Sequence, residues 1–312
     1  MITAGDPARR TGGNIYVRHL VRAMRRDAMR VRVLVLEDRA GGRALRALRP
    51  ALAIVDTIAA DLVAPHVRVL RASGTRVVAL ALMSHGAPSL ARQADRTIAP
   101  SAALAADLIA AGIPGSRISV IAPGTDRASR VAARTDGTRV LCVANWSAAK
   151  GITTLLAAAK RVPDVRIALV GDAGNGWYAA RVRALAAHPE LAGRVRVRGA
   201  LGPGALEREY RRASVFALPS TRESYGMAVA DAMAHGLPVV ACDIPASREL
   251  ASGAALLVPP RRVATLAAAL DVLTRDGRLR RDLGRLTRAR SRTLPTWAQS
   301  ERALVRAVRA EL

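Results

Sequence analysis

Lys150 is the side chain whose position most clearly indicates chemistry. An apolar run, RVLCVAN (139–145), leads through the loop NWSAAKG into a helix-like stretch, GITTLLAAAKRV. The free amides and the macrodipole at a helix N-terminus already favour an anion, so an ammonium in this loop predicts a phosphate-binding site. An ordinary surface lysine before a helix is the alternative. All the other basic residues except Lys160 are arginines, and this scarcity of lysine favours the functional interpretation.

Two carboxylates, Glu223 and Asp231, stand in the segment FALPSTRESYGMAVADAMAHGLPVVACD (216–243). The pattern predicts a strand, a loop that carries Glu223, and a helix over residues 225–235. At that position Glu223 can accept hydrogen bonds from sugar hydroxyls, while the backbone amides of the next three residues donate hydrogen bonds to a phosphate oxygen. Asp231 lies about two turns along an otherwise apolar helix, where a buried carboxylate needs a partner such as a ribose diol. The alternative is that Glu223 is an ordinary carboxylate at the start of a helix and that Asp231 is merely exposed to solvent.

Both features require strands that end at a common sheet edge, and the chain supplies strands in two series. Apolar helical stretches alternate with short β-branched runs, which predicts parallel sheets with crossover helices. A polar, turn-rich stretch at 123–138 separates the two series. The first series covers residues 31–37, 51–55, 75–82, 96–100 and 117–123, and the second covers 139–145, 166–172, 194–200, 214–220, 238–243 and 255–260.

The predicted fold class is therefore α/β, with two Rossmann-like domains, residues 1–128 and 129–312, facing across a cleft. In sheets of this kind ligands bind beyond the carboxyl ends of the strands, where Lys150 and Glu223 lie. Only MITAGDPARR precedes the first predicted helix. We therefore expect the first strand of the N-terminal sheet to be missing or curtailed, with a true start upstream of Met1 as one explanation.

The run PSTRESYGMAVADAMAHGLPVVA resembles the signature of retaining glycosyltransferases of family 4, within the glycosyl transferases group 1, which have the GT-B fold. VANWSAAKG resembles their phosphate loop, TGGNIYVRHLVRAM their N-terminal Gly-Gly loop and helix, and ADRTIAPSAALAADLIAAGIPGSRISVIAPGTD the end of their N-terminal domain. The resemblance covers nearly the whole chain. It implies a retaining, metal-independent hexosyl transfer from a nucleotide diphosphate sugar to an acceptor hydroxyl, with no cofactor. It also implies a last helix that packs back on the N-terminal domain.

The resemblance assigns a role to each matching position. Glu223 would contact hydroxyls of the donor sugar, Asp231 the ribose and Lys150 the diphosphate, while the Gly12–Gly13 loop would close over the donor. The implied catalytic residues are Glu223, Lys150 and His85. The implied donor-binding residues are Gly12, Gly13, Asn145, Lys150, Gly151, Glu223, Ser224, Tyr225, Gly226 and Asp231. No metal ligands are implied, and the sequence has neither an Asp-x-Asp pair nor a cluster among its five histidines.

Four positions depart from the family pattern. Asp231 stands where the family has glutamate, Ser224 replaces a usual glycine, and Asn145 stands where many relatives have an arginine. Leu82 occupies the place expected for a histidine near the transferred phosphate, and His85 follows three residues later. A loop histidine without a catalytic role is the alternative for His85. These departures keep open a catalytically weak protein that binds a nucleotide sugar without turnover. A sugar-nucleotide epimerase would need further acids and histidines that the sequence does not offer.

The net charge of +25 raises a third possibility, nucleic-acid binding. The arginines are dispersed along the helices without interleaved aromatic residues for base stacking, which makes this function the least favoured. A codon-driven arginine bias that leaves a solvated basic surface is the favoured explanation of the charge. Attraction to an anionic membrane is a further explanation, and the unknown acceptor is then lipid-linked rather than a free saccharide.

Neither a membrane span nor a signal peptide is visible in the sequence. No run approaches the roughly 18 uninterrupted apolar residues of a spanning helix, and MITAGDPARR has no signal-peptide character. Cys142 and Cys242 both stand in apolar runs and are predicted to be small core residues rather than a disulfide or a metal site. The expected location is cytoplasmic, with peripheral membrane contact open.

Overall fold

The computed structural model describes residues 1–37, 50–83, 86–126 and 137–312. The chain divides into two units: unit 1 comprises Met1–Gly124 with Pro295–Leu312, and unit 2 comprises Thr125–Leu294. Each unit contains one parallel six-stranded sheet. His85 and residues 127–136 of the predicted interdomain linker lie outside the described residues.

The sheet of unit 1 has the strand order β2-β1-β3-β4-β5-β6. Its strands are β1 (Ile2–Ala4), β2 (Leu34–Leu36), β3 (Leu52–Asp56), β4 (Arg76–Leu80), β5 (Arg96–Ala99) and β6 (Ile118–Val120). The described helices of unit 1 are α1 (Gly12–Arg26), α2 (Ala60–Ala72), α3 (Ala87–Gln93) and α4 (Ala102–Ala110), joined by a helix near the end of the chain that is labelled α12 below. The short strand β1 pairs with both β2 and β3 and therefore lies inside the sheet.

The sheet of unit 2 has the strand order β12-β11-β10-β7-β8-β9. Its strands are β7 (Arg139–Val143), β8 (Arg166–Val170), β9 (Val195–Gly199), β10 (Val215–Leu218), β11 (Val239–Cys242) and β12 (Leu256–Val258). Its helices are α5 (Ile152–Lys160), α6 (Trp177–Ala186), α7 (Pro203–Arg212), α8 (Met227–Ala234), α9 (Pro245–Ala251), α10 (Val263–Arg275) and α11 (Gly277–Ser291). Every residue of β10 and β11 is buried, as expected of parallel strands covered on both faces. Cys142 and Cys242 are free and buried, which confirms their prediction as core residues.

The helix α12 (Trp297–Arg309) belongs to unit 1 although it follows unit 2 in the sequence. Thr296 caps its N-terminus in a capping box with Gln299. Leu304 and Val308 are buried in the same cluster as Leu20 of α1. Amphipathic helices gain most of their stability from such packing rather than from intrinsic propensity.

Two carboxylates attach α12 to the rest of unit 1. Glu301 binds His19 Nδ1 at 2.7 Å and also pairs with Arg26. Glu311, with only 2% of its side chain exposed, pairs with Arg76 and Arg96. His19 in addition stacks on the Trp297 ring at 3.6 Å between centroids. Within the described ranges, no helix combines the length and the apolar character needed to cross a membrane.

Candidate functional site

The loop after β7 and the loop after β10 are joined at the sheet edge. Lys150 closes a 3-10 turn that ends at Gly151, whose φ is +67°. A Cβ at Gly151 would lie 2.2 Å from the Pro219 carbonyl oxygen, so glycine is required by close approach as well as by conformation. The Thr221 amide donates to the Ala149 carbonyl at 2.8 Å. The two loops therefore form one connected structure.

Lys150 and Glu223 meet across this connection. The Lys150 ammonium lies 2.7 Å from Glu223 Oε1 and 2.9 Å from Oε2, so it donates to both carboxylate oxygens. The side chains retain 27% and 11% of their exposure, which leaves the ammonium more accessible than the carboxylate. Such partial burial shields the pair from solvent screening while a ligand can still reach it. The sequence predicted both residues at strand ends, each with its own contact to a ligand. It did not predict the contact between the two side chains.

The ion pair lies where the winding of the unit 2 sheet reverses direction. From β7 the chain proceeds through β8 to β9 on one side and then returns to place β10 directly beside β7 on the other. Lys150 follows β7 and Glu223 follows β10. Open parallel sheets bind ligands in the crevice outside the carboxyl ends of the two strands at such a switch point. The topology therefore selects this location for a ligand independently of any motif.

The helix α8 begins beside this pair. Gly226 caps it with φ of +104°, in the left-handed region that favours glycine. Ser224 and Tyr225 form the preceding loop; Tyr225 is buried, and this burial raises the pKa of its phenol to about 12. The predicted helix over residues 225–235 is thus shorter, Met227–Ala234.

Asp231 projects from the second turn of α8. Burial raises the pKa of this carboxyl to about 7 from its ordinary 3.8, with His235 opposing the rise and Asp126 and Glu207 adding to it. Desolvation and neighbouring charges are the causes of this shift, and no hydrogen bond from the described residues to the carboxylate contributes to it. An uncompensated carboxylate of this kind gains most from a ligand that brings two donors, such as a ribose diol.

Other polar atoms near the switch point are buried without a partner among the described residues. They are the Trp146 indole Nε1, the Ser220 hydroxyl and the Tyr225 hydroxyl. Arg183 lies over the Trp146 ring with its Cζ 5.7 Å from the centroid. Asn145 Oδ1 accepts from the Asp172 amide at 3.3 Å, so it serves the adjacent loop in this structure. Sequence reasoning missed Trp146 and Ser220, although both stand in the two loops already singled out.

His235 and Glu207 were also missed as partners of this region. His235 Nε2 lies 2.7 Å from a Glu207 carboxylate oxygen, and its Nδ1 lies 2.7 Å from the Asp231 carbonyl oxygen. The four-residue spacing of Asp231 and His235 on one helix face was a signal available in the sequence. Glu207 could not be found that way, since it lies on a different helix.

The remaining predicted residues belong to unit 1 or lie outside the described residues. Gly12 and Gly13 open α1, where the Thr11 side chain caps the helix by accepting from the Asn14 amide. A Cβ at Gly13 would lie 3.6 Å from a methyl carbon of Leu82, which is ordinary contact. His85 lies outside the described residues. Among the residues described, no group of three or more histidine, cysteine or acidic side chains could hold a metal ion.

Two parallel six-stranded sheets agree with the predicted GT-B fold, and comparison with known proteins relates the part of the chain that carries the site to the glycosyl transferases group 1. Residues 137–276, which carry the whole site in unit 2, match the family "Glycosyl transferases group 1". The chain is 34% identical over 138 residues to a D-inositol 3-phosphate glycosyltransferase of Segniliparus rotundus, a match covering 42% of this chain and 31% of that protein. The chain thus spans about a third of the length of this relative.

Solved structures show the same fold along nearly the whole chain. The sucrose-phosphate synthase of Thermosynechococcus elongatus superposes with a TM-score of 0.84 at 21% identity, covering 99% of this chain and 98% of that one. Anabaena Alr3699/HepE, solved in complex with UDP and glucose, gives 0.81 at 18% identity and covers 99% of both chains. These likenesses confirm the predicted GT-B fold.

Proposed function

We propose that this protein transfers a sugar from a nucleotide diphosphate sugar to an acceptor hydroxyl, with retention of configuration and without a metal ion. The observation that carries the proposal is the Lys150–Glu223 pair at the switch point of unit 2, within residues that match the glycosyl transferases group 1. UDP in the Anabaena neighbour supports a nucleoside diphosphate as the leaving group. The acceptor and the sugar are not specified by these observations.

Each residue of the pair takes a separate part of the donor in this proposal. Lys150 neutralises charge that develops on the departing diphosphate, together with the amides at the start of α8. Glu223 accepts hydrogen bonds from hydroxyls of the sugar and thereby holds the anomeric carbon in place. Because the two side chains are bound to each other in the free protein, donor binding has to exchange their mutual hydrogen bonds for contacts with the ligand.

Bond changes in the transfer are confined to the donor and the acceptor. The bond between the anomeric carbon and the diphosphate oxygen breaks, and the acceptor oxygen bonds to the same face of that carbon. The proton of the acceptor hydroxyl passes to the departing diphosphate oxygen. Asp231 holds the ribose through its two hydroxyls and takes no part in the bond changes.

Two variants test this proposal in donor hydrolysis and in nucleotide titration. Lys150→Ala should lower the affinity for nucleoside diphosphates by about ten-fold or more, which is the scale of a lost charge-assisted hydrogen bond. The affinity for the bare nucleoside should not change. Glu223→Gln should abolish most turnover yet hold or raise diphosphate affinity, because the ammonium is then released from its carboxylate. Thermal-shift screening of nucleoside diphosphates and their sugars first identifies the base, since a bound ligand raises stability by mass action.

The chain's other lysine provides the matched control. Lys160 also forms an ion pair with a glutamate, Glu190, at 2.8 Å, but at the far end of α5. Lys160→Ala should therefore leave donor affinity and turnover unchanged. Equal losses in the Lys150 and Lys160 variants would show a general effect of charge and would contradict the proposed site. Binding with no turnover in the parent protein would instead indicate a donor-binding protein.

A further inference from the structure

His235 carries a contact pattern that a neutral histidine cannot satisfy. Its Nδ1 faces the Asp231 carbonyl oxygen and its Nε2 faces a Glu207 carboxylate oxygen, each at 2.7 Å. A main-chain carbonyl only accepts hydrogen bonds, and so does an ionised carboxylate. Neutral imidazole donates from one nitrogen alone, whereas imidazolium donates from both. The Glu207 side chain keeps 40% of its exposure to solvent, and beside an ionised Glu207 both ring nitrogens of His235 must donate, as they do in imidazolium.

The surroundings compensate this charge although only 8% of the His235 side chain is exposed. The residue caps the C-terminus of α8, where the helix macrodipole favours a cation. Its ring stacks on Tyr210 of α7 with centroids 4.7 Å apart and planes 13° apart. Tyr210 in turn donates to the Ala228 carbonyl at 3.2 Å. Glu207 and Tyr210 thus hold α7 against α8 at both ends of the helix that carries Asp231.

We infer that His235 is a positioning residue for donor binding: its imidazolium, fixed by Glu207 and the Asp231 carbonyl, holds the end of α8 and favours the negative charge of the Asp231 carboxylate that takes the ribose. The assignment of ribose to Asp231 rests on the proposed function. The charge of His235 and the contacts by which Glu207 and Tyr210 join α7 to α8 are independent of the proposed function.

The charges that face Asp231 explain why a cation is needed there. Electrostatic interactions link the Asp231 carboxyl to Asp126, Glu207 and His235 and to the phenols of Tyr210 and Tyr225. In addition, α11 brings Arg288 beside Gly236. Of the groups that act on Asp231, the two carboxylates favour its protonated form and His235 favours the ionised form. Burial already raises the pKa of Asp231 to about 7. Removal of the imidazolium would therefore shift the carboxyl towards its protonated form near neutral pH.

The first experiment measures the charge of His235 directly in the ligand-free protein. Long-range proton–nitrogen NMR spectra of the histidine rings distinguish imidazolium from either neutral tautomer, and the spectrum of the His235→Gln variant identifies the His235 signals. We expect both ring nitrogens to be protonated at pH 7. A neutral ring at that pH would overturn the inference whatever the nucleotide data show.

The second experiment compares ligands with and without a ribose. Calorimetric titration of UDP, GDP, ADP and inorganic pyrophosphate from pH 5.5 to 8.5 covers the range in which Asp231 titrates. In His235→Gln the affinity for the bound nucleoside diphosphate at pH 7 should fall about five-fold, because a one-unit rise in the pKa of Asp231 lowers its ionised fraction from about one half to about one tenth. The pH at which half of the nucleoside diphosphate affinity is lost should rise by about one unit, a shift typical of one neighbouring charge. Pyrophosphate affinity should not change, because it does not contact Asp231.

The control replaces another histidine that lies beside a carboxylate. His188 Nδ1 is 3.3 Å from a Glu190 carboxylate oxygen on an exposed turn, and His188→Gln should leave both profiles unaltered. An equal loss of nucleotide and pyrophosphate affinity in His235→Gln, with no shift along the pH axis, would show a merely structural role and overturn the inference. Should the parent protein bind no nucleotide at all, the proposed function fails and the ribose role fails with it. The NMR result would still decide the charge of His235.

Discussion

Replacing Asp231 by asparagine should stabilise unit 2 while it removes the proposed ribose contact. Burial raises the pKa of Asp231 from 3.8 to about 7, so the folded protein holds a proton that the unfolded chain releases between these values. Stability therefore falls as the pH rises from about 4 to about 7 and is constant above that window. A difference of about three units, at 1.36 kcal/mol each, corresponds to about 4 kcal/mol. Asparagine does not ionise, so Asp231→Asn should gain up to this amount at pH 8 and almost nothing at pH 4.

Hydrogen exchange provides the assay, because it reports the opening of unit 2 alone even if the two units unfold separately. Protection of peptides from β10 and β11 should increase in Asp231→Asn at pH 8, with the difference from wild type shrinking towards pH 4. Nucleoside diphosphate affinity should fall in the same variant, which would be a trade of function for stability. A pH-independent difference, or a loss of protection at pH 8, would refute the reasoning.

A control of opposite sign stands at the end of β11. A hydrogen bond from Arg248 holds the pKa of Asp243 below its ordinary value, and this outweighs the opposing effect of desolvation. The contribution of Asp243 to the stability of unit 2 is thus present at neutral pH and is lost as the pH falls. Asp243→Asn should therefore lower protection at pH 8 and have no effect in acid. Two aspartates of unit 2 would then respond to the same substitution in opposite directions.

Further features make simpler predictions. Gly151→Ala should abolish nucleoside diphosphate binding in a titration, because its Cβ would lie 2.2 Å from the Pro219 carbonyl oxygen; wild-type affinity would contradict this close approach. Arg194→Lys should lower the free energy of unfolding by about 1–3 kcal/mol in urea, since one guanidinium nitrogen shares its two hydrogens among four carbonyl oxygens at 2.9–3.2 Å near the end of α5. An unchanged midpoint would refute it. Burial alone would raise the pKa of Glu311, but hydrogen bonds from Arg96 and Arg76 hold it below 4.5. Glu311→Gln should therefore lower the thermal stability of unit 1 at pH 7 and lose this effect in acid; the opposite pH trend would exclude the ion pairs as the cause. If the net charge of +25 recruits an anionic membrane, binding to acidic vesicles should fade as salt rises, and equal binding to neutral vesicles would assign the charge to composition.

Local patterns were sufficient for most of the elements and for two Rossmann-like domains, and the resemblance to a known family supplied the GT-B fold. The run PVVACD contains β11, and the turn-rich stretch at 123–138 contains the division between the units after Gly124. Boundaries were less accurate where a polar residue interrupts the pattern: the strand predicted over 31–37 is only Leu34–Leu36. Strand β1, expected to be missing or curtailed, has three residues and pairs on both sides.

Contacts between distant elements were beyond the reach of periodicity. Lys150 and Glu223 were each placed at a strand end, yet their bidentate contact depends on β10 lying beside β7, and hydrophobic patterns do not encode strand order. The pairing of His235 with Glu207 depends likewise on how α7 packs against α8. Asp231 was predicted to need a partner because it is a carboxylate on an apolar helix, and that reasoning required only the sequence.

The place of α12 in unit 1 has a consequence for how the protein is made. Residues 295–312 leave the ribosome only after the whole of unit 2, so at 5–20 residues per second the first 124 residues wait roughly ten to forty seconds for their last helix. During that interval the side of α1 that Leu304 and Val308 will cover has no partner from α12. Unit 2, encoded second, has all its strands available first. The order of completion is therefore the reverse of the order of synthesis, and the nascent N-terminal unit presents an apolar surface on which a chaperone can act.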